Sequence, residues 1–190
     1  MTRHFTADLH LGHANIIRYS GRPFRDLEHM NRALVDNWND IVDSDDEVWI
    51  LGDLALGRLD DSLPLVAKLR GHKTLLCGNH DRCWDGRPDA AKWLARYEAV
   101  GIDAVVHGNV ETVIGGLPVV CSHFSYEGDQ YDRGRFDRYR PADNGGVLLH
   151  GHVHEQWRRK GRQINVGVDV SDFRPVDETV LAEFVTSNSM

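Results

Sequence analysis

The chain has 190 residues, 41% hydrophobic and 27% charged, which suffices for one core and a single domain over residues 1–190. A net charge of −7 disfavours a protein that coats nucleic acid through a basic surface, and leaves a nucleotide substrate open. No apolar run reaches the ~18 residues of a membrane span, and three cysteines without a Cys-x-x-Cys pair argue against a disulfide framework or zinc knuckle.

Along the chain, short apolar runs each end in a polar cluster. Residues 3–7 read as a first strand, leading into Asp8-Leu9-His10. A metal-type motif this close to Met1 leaves no room for a signal peptide, so a cytoplasmic protein is expected. The apolar spacing of Met30, Ala33, Leu34, Trp38, Ile41 and Val42 predicts a helix over about residues 27–42. Residues 47–51 form a second strand, ending in Gly52-Asp53. Leu63, Val66, Ala67 and Leu69 predict a second helix, stopped by Gly71. Residues 73–77 form a third strand, ending in Gly78-Asn79-His80-Asp81. Cys77 and Cys121 sit in apolar runs as small core residues, whereas Cys83 falls in a polar loop.

Residues 90–99 predict a third helix, and residues 104–107 with 110–114 a strand pair about Gly108-Asn109. A strand over Leu117–Cys121 precedes His123. Residues 126–140, with Tyr131, Arg133 and Arg135, read as a solvated loop bordering the site, balanced by Glu127, Asp129, Asp132 and Asp137. A strand over residues 147–149 leads into Gly151-His152-Val153-His154. Arg158 to Arg162 form an exposed hairpin turn, and residues 163–166 and 180–185 the last two strands. Strand–helix alternation in the first half predicts parallel strands with helices on the sheet faces. The fold class is α/β.

Five strand ends thus carry Asp8 and His10, Asp53, Asn79, His123, and His152 with His154. In open α/β sheets, ligands bind outside the carboxyl ends of the strands. In an extended segment residues i and i+2 point the same way, so Asp8/His10 and His152/His154 can each present two groups to one side. Gly52, Gly78 and Gly151 permit sharp turns and close backbone approach. The mixture of imidazole, carboxylate and amide suits manganese, iron, zinc or nickel rather than a thiolate-bound metal.

The ordered set D-x-H, G-D, G-N-H-D, a lone His and G-H-x-H, from Asp8 to His154, resembles the calcineurin-like metallophosphoesterase superfamily. Asn165-Val166-Gly167-Val168-Asp169 resembles the segment after the histidine pair in its small bacterial and phage members. The resemblance implies a four-layer α/β/β/α sandwich and two divalent cations, manganese first, with iron, zinc, nickel or magnesium as alternatives. One cation would be held by Asp8, His10, Asp53 and His154, the other by Asp53, Asn79, His123 and His152, with Asp53 bridging. It further implies in-line attack of metal-bound hydroxide on a phosphate ester, with His80 serving the leaving group.

One departure stands out. After Gly52-Asp53 the chain reads Leu54-Ala55-Leu56-Gly57, without the carboxylate that orients the histidine in the G-D-x-x-D-R-G motif of protein phosphatases. Asp81 is the candidate for that role, or else the cap of a turn. A phosphoprotein substrate is correspondingly disfavoured. With no cap domain evident, the favoured function is a phosphodiesterase acting on a small nucleotide or cyclic nucleotide. The alternatives are a phosphomonoesterase and a non-catalytic protein-binding scaffold of the same fold. His13, Asn15, Arg22, Arg133 and Arg135 are the candidate substrate contacts, and His150 a core or supporting residue. The sequence sets no oligomeric state.

Overall fold

The computed structural model describes residues 1–128 and 133–186, so Tyr131, Asp129 and Asp132 of the expected border loop lie outside the described residues. Strand β1 (Arg3–Thr6) pairs in parallel with β2 (Glu47–Ile50), β2 with β3 (His72–Leu76), and β3 with β4 (Ala104–Val106). A short strand β10 (Val176–Asp177) adds antiparallel to the other side of β1. The second sheet has the order β5 (Val110–Ile114), β6 (Leu117–Cys121), β7 (Val147–His150), β9 (Gln163–Asn165), β8 (Arg159–Lys160). In it β6, β7 and β9 run parallel, while β5 and β8 close the edges antiparallel.

Strand alternation sorts the apolar side chains into two cores. Val48, Ile50 and Leu75 face the helices α1 (Ala14–Tyr19), α2 (Leu27–Asn39), α3 (Leu59–Val66) and α4 (Leu94–Glu98). Helix α2 begins where the Asp26 carboxylate accepts the His29 N–H at 2.7 Å. It buries Met30, Leu34, Val35 and Trp38 along one stripe. Phe5, Leu51 and Leu76 face the other way and meet Val119, Cys121, Leu149 and Ile164 of the second sheet. The α/β class therefore stands, built as helices, a mixed sheet and a second mixed sheet. No helix among the described residues is long and apolar enough to cross a membrane.

Several elements differ from expectation. The run over residues 180–185 is not a strand but part of helix α5 (Glu178–Thr186), started by Asp177, whose carboxylate accepts the Thr179 N–H at 2.7 Å. Leu181 and Val185, four apart, are its buried residues, the spacing of a helix face. Strands β4 and β5 are not partners: Gly108-Asn109 links the two sheets, and β5 pairs with β6 across Gly115-Gly116. Helix α3 starts earlier than expected and ends at Val66, and the third expected helix divides into a 3₁₀ turn, Ala90–Lys92, followed by α4. The hairpin turn near Arg159–Lys160 is present. Cys83 is fully buried, with its sulfur 3.3 Å from that of Cys77, because Trp84 folds the loop inward.

Candidate metal centre

The parallel strands β1, β2, β3, β6 and β7 each run out into one of the polar clusters. The turns after them are stitched together: Asp8 N–H donates to Gly52 O and His10 N–H to Asp53 O, both at 3.0 Å. The backbone here is not extended. Asp8, His10, Asp53, His152 and His154 all have left-handed φ, between 49° and 72°. The i, i+2 argument for their convergence is thereby corrected: each member of a pair sits on its own kink. For an L residue this conformation costs roughly 1–3 kcal/mol and persists only where surrounding contacts impose it. Two glycines make the crowding possible. A Cβ on Gly78 would lie 2.3 Å from Asp53 Oδ1, and one on Gly52 2.4 Å from His123 Nδ1.

Asp53 is the hub. Its Oδ2 lies 3.5 Å from His10 Nε2, 3.5 Å from His123 Nε2 and 4.0 Å from His80 Nε2. Donor atoms of Asp8, His10 and His154 lie within 4.8 Å of one another, as do those of Asp8, Asp53 and His123. His123 Nδ1 is 2.8 Å from Leu51 O, to which it donates, so Nε2 presents a lone pair 3.2 Å from Asn79 Oδ1. The His152 ring stands 5.1 Å from that of His123, and its backbone N–H donates to Asp8 Oδ2 at 2.8 Å.

The donor set fits divalent cations. Asp8 Oδ1 and His10 Nε2 are buried without a hydrogen-bond partner, an arrangement that is costly unless another group satisfies them. Asn79 Oδ1 and His123 Nε2 face each other as two acceptors, which a cation between them reconciles. Burial, reinforced by the neighbouring imidazoles, holds His10 and His152 well below the usual histidine range, in the neutral form that ligates metals. Burial raises Asp8, against the pull of His154 and His123. Burial alone would lower His154, but Asp8, the hydrogen bond to Asp169 and Asp53 outweigh it and lift it to about 9.

The remaining expected residues fall into three groups. His80, His13 and Arg135 line a cavity of about 550 Å³ whose wall also includes His10, Asp53, His152 and His154. His80 is 43% exposed, and its backbone N–H is fixed on Asp53 Oδ1 at 2.9 Å. Asn15 and Arg133 are exposed and do not line the cavity. Arg22 needs correction, and of the two readings of Asp81 the structure fits the turn cap and not the orientation of His80. The Asp81 carboxylate accepts the N–H groups of Gly78 and Asp53 at 2.8 Å and of Leu54 at 3.0 Å, so it holds the loops that carry Asp53 and Asn79 and not the His80 ring. Arg22 is no substrate contact, because its guanidinium is buried against Asp169 and the carbonyls of Asp8 and Leu9.

Three residues in or beside the site were not singled out from the sequence. Asp169 accepts from His154 Nδ1 at 3.0 Å, and its only sequence signal is its place in the segment Asn165 to Asp169. Ile16 and Tyr19 of α1 supply the apolar wall of the cavity with Phe136, and nothing in their spacing marks them. His150 is buried and donates through Nδ1 to Gly151 O, a supporting place as expected.

No protein-family model matches the chain. It is 36% identical over 187 residues to the Gene 66 protein of Mycobacterium phage D29, covering 92% of each chain. The crystal structure of a protein of unknown function from Aquifex aeolicus shares the fold, with a TM-score of 0.70 at 22% identity, over 97% of this chain and 99% of that one. An archaeal phosphodiesterase aligns over 88% of this chain and 82% of its own, with a TM-score of 0.45 at 14% identity, too slight a likeness to bear on function.

Proposed function

This chain belongs to the family of the Gene 66 protein of Mycobacterium phage D29, and we propose that it is a metal-dependent phosphoesterase, a phosphodiesterase of small nucleotide-like substrates. The observation that carries this reading is the convergence on Asp53: three imidazole nitrogens face one carboxylate oxygen within 4.0 Å, beside the orphaned Asp8 Oδ1 and His10 Nε2. Asp8, His10, Asp53 and His154 would hold one cation, and Asp53, Asn79, His123 and His152 the other. When bound, two such cations, manganese first among the candidates, clamp and neutralise a phosphate and activate water for in-line displacement.

The chain's own residues do the rest. His80 stands at the cavity wall beside Asp53, with its ring partly in solvent, and hands a proton to the departing oxygen. Arg135 borders the same cavity and offers a guanidinium to a phosphate oxygen. Ile16, Tyr19 and Phe136 form an apolar wall that suits the organic part of the ester. That wall favours a diester, with two organic groups to hold, over a monoester. Tyr126 N–H and O–H bond Gln163 Oε1 and Gly146 O, and Trp157 packs on His150, so these two side chains lie over part of the second sheet. We take this cover as the reduced fourth layer of the sandwich.

The test is hydrolysis of bis-p-nitrophenyl phosphate and p-nitrophenyl phosphate by metal-stripped protein, with Mn²⁺ added back. We expect turnover that returns with Mn²⁺, favours the diester and is abolished in Asp53→Ala. Protein that binds Mn²⁺ but cleaves neither ester would refute the assignment and favour a binding scaffold.

A further inference from the structure

Arg22 lies at 4% exposure beneath the metal centre, and all three of its guanidinium nitrogens are engaged. Nε and Nη2 grip the two oxygens of Asp169 at 2.7 and 2.9 Å. Nη1 donates to Leu9 O at 3.0 Å, and Nη2 also to Asp8 O at 2.7 Å. Asp169 in turn faces His154 Nδ1 at 3.0 Å. Its segment is tied to the end of β1, where Val168 N–H donates to Ala7 O at 3.0 Å. One ion pair therefore touches both segments that supply Asp8, His10 and His154.

We propose that Arg22 and Asp169 are a positioning pair for one of the two cation places, the one faced by Asp8, His10 and His154. Asp169 accepts a hydrogen bond from His154 Nδ1–H, which leaves Nε2 as the only ligating nitrogen and sets the plane of the ring. Arg22 holds Asp169 by a two-pronged contact that lysine cannot reproduce. It also anchors the Asp8 and Leu9 carbonyls, and so the left-handed turn that brings Asp8 and His10 together. A buried ion pair is weak as a stabilising device, because desolvation offsets its attraction. Its value here is geometric. The other cation place has its own supports, since His123 is oriented by Leu51 O and the Asp53 backbone is held by Asp81, and neither contact involves Arg22 or Asp169.

The experiment titrates metal-stripped protein with Mn²⁺ by calorimetry, comparing wild type with Asp169→Asn and Arg22→Lys. The wild type is expected to show two binding steps. Each variant is expected to weaken one step by about 10–100-fold and leave the other unchanged. Imidazole ¹⁵N spectra of the metal-free proteins, recorded at a pH above the His154 value of about 9 and with His154→Ala for assignment, should show a His154 Nδ1–H tautomer in wild type that is lost in Asp169→Asn. If a single variant fails to fold, Arg22→Met/Asp169→Leu removes both buried charges and should show the same one-step loss. Equal weakening of both steps, no change in a folded variant, or failure of all three variants to fold overturns the pair as a positioning device. The proposal rests on the metal reading of the site. Wild-type protein that takes up no divalent cation overturns that reading, whereas two wild-type steps without a selective loss overturn the pair alone.

Discussion

At the scale of single residues, exposure separates the histidines of the site. His10 is buried and His152 half-buried, and both are held in the neutral form, while His80 stays partly in solvent beside Asp53. A group that donates a proton matters only when the leaving oxygen needs one. His80→Ala should therefore lower the rate about 10²–10⁴-fold for a diester with an alkoxide leaving group. The loss should be much smaller for p-nitrophenolate, which departs without protonation. Metal content, measured on the same samples, should match that of wild type. An equal loss with both leaving groups, or loss of the metals, would assign His80 a structural part instead.

At the scale of elements, α5 tests how the end of the chain is built. A strand over residues 180–185 would place Leu181, Glu183 and Val185 on one face, whereas the helix buries Leu181 and Val185 and leaves Val180 40% exposed. Helix α5 contacts β1, β5 and β10, so its apolar stripe closes the core between the sheets. Leu181→Ala should cost about 2–5 kcal/mol in urea unfolding. Val180→Ala should stay within about 0.5 kcal/mol as a surface change. The hairpin at Gly115-Gly116 and the crossing at Gly108-Asn109 make the same point. Both are glycine turns, and only the partner strands decide which of them pairs its flanks and which connects two sheets.

At the scale of the molecule, the two ends of the first sheet do different work. The carboxyl end gathers kinked ligands; the amino end is closed by Asp46. That carboxylate accepts the Asp43 N–H at 3.0 Å and the Thr2 N–H at 2.6 Å, and faces His4 Nε2 at 3.4 Å. The two backbone hydrogen bonds, from Asp43 first, and then His4 hold it below the ordinary carboxylate range. The folded state then binds the proton less tightly than the unfolded chain. Its contribution to stability is present above about pH 4 and fades as the pH falls through the unfolded value towards the lower folded one. In urea unfolding between neutral pH and about pH 3, the gap between wild type and Asp46→Asn should narrow as acid is added. A constant gap would mean that these contacts do not depend on the charge.

The candidate ligands were legible from the sequence because the signal is local: a strand, a glycine and a donor residue are neighbours in the chain, and strand polarity sends them to one edge. The α/β class followed from the same strand–helix alternation. The geometry that makes those ligands a centre was not legible, because it depends on contacts between residues far apart. Asp8 Oδ2 receives the His152 N–H across 144 residues, and Arg22 reaches Asp169 across 147. The left-handed turns at Asp8, His10, Asp53, His152 and His154 are conformations that no local propensity selects. Surrounding hydrogen bonds impose them, so only the tertiary structure decided which way each donor points.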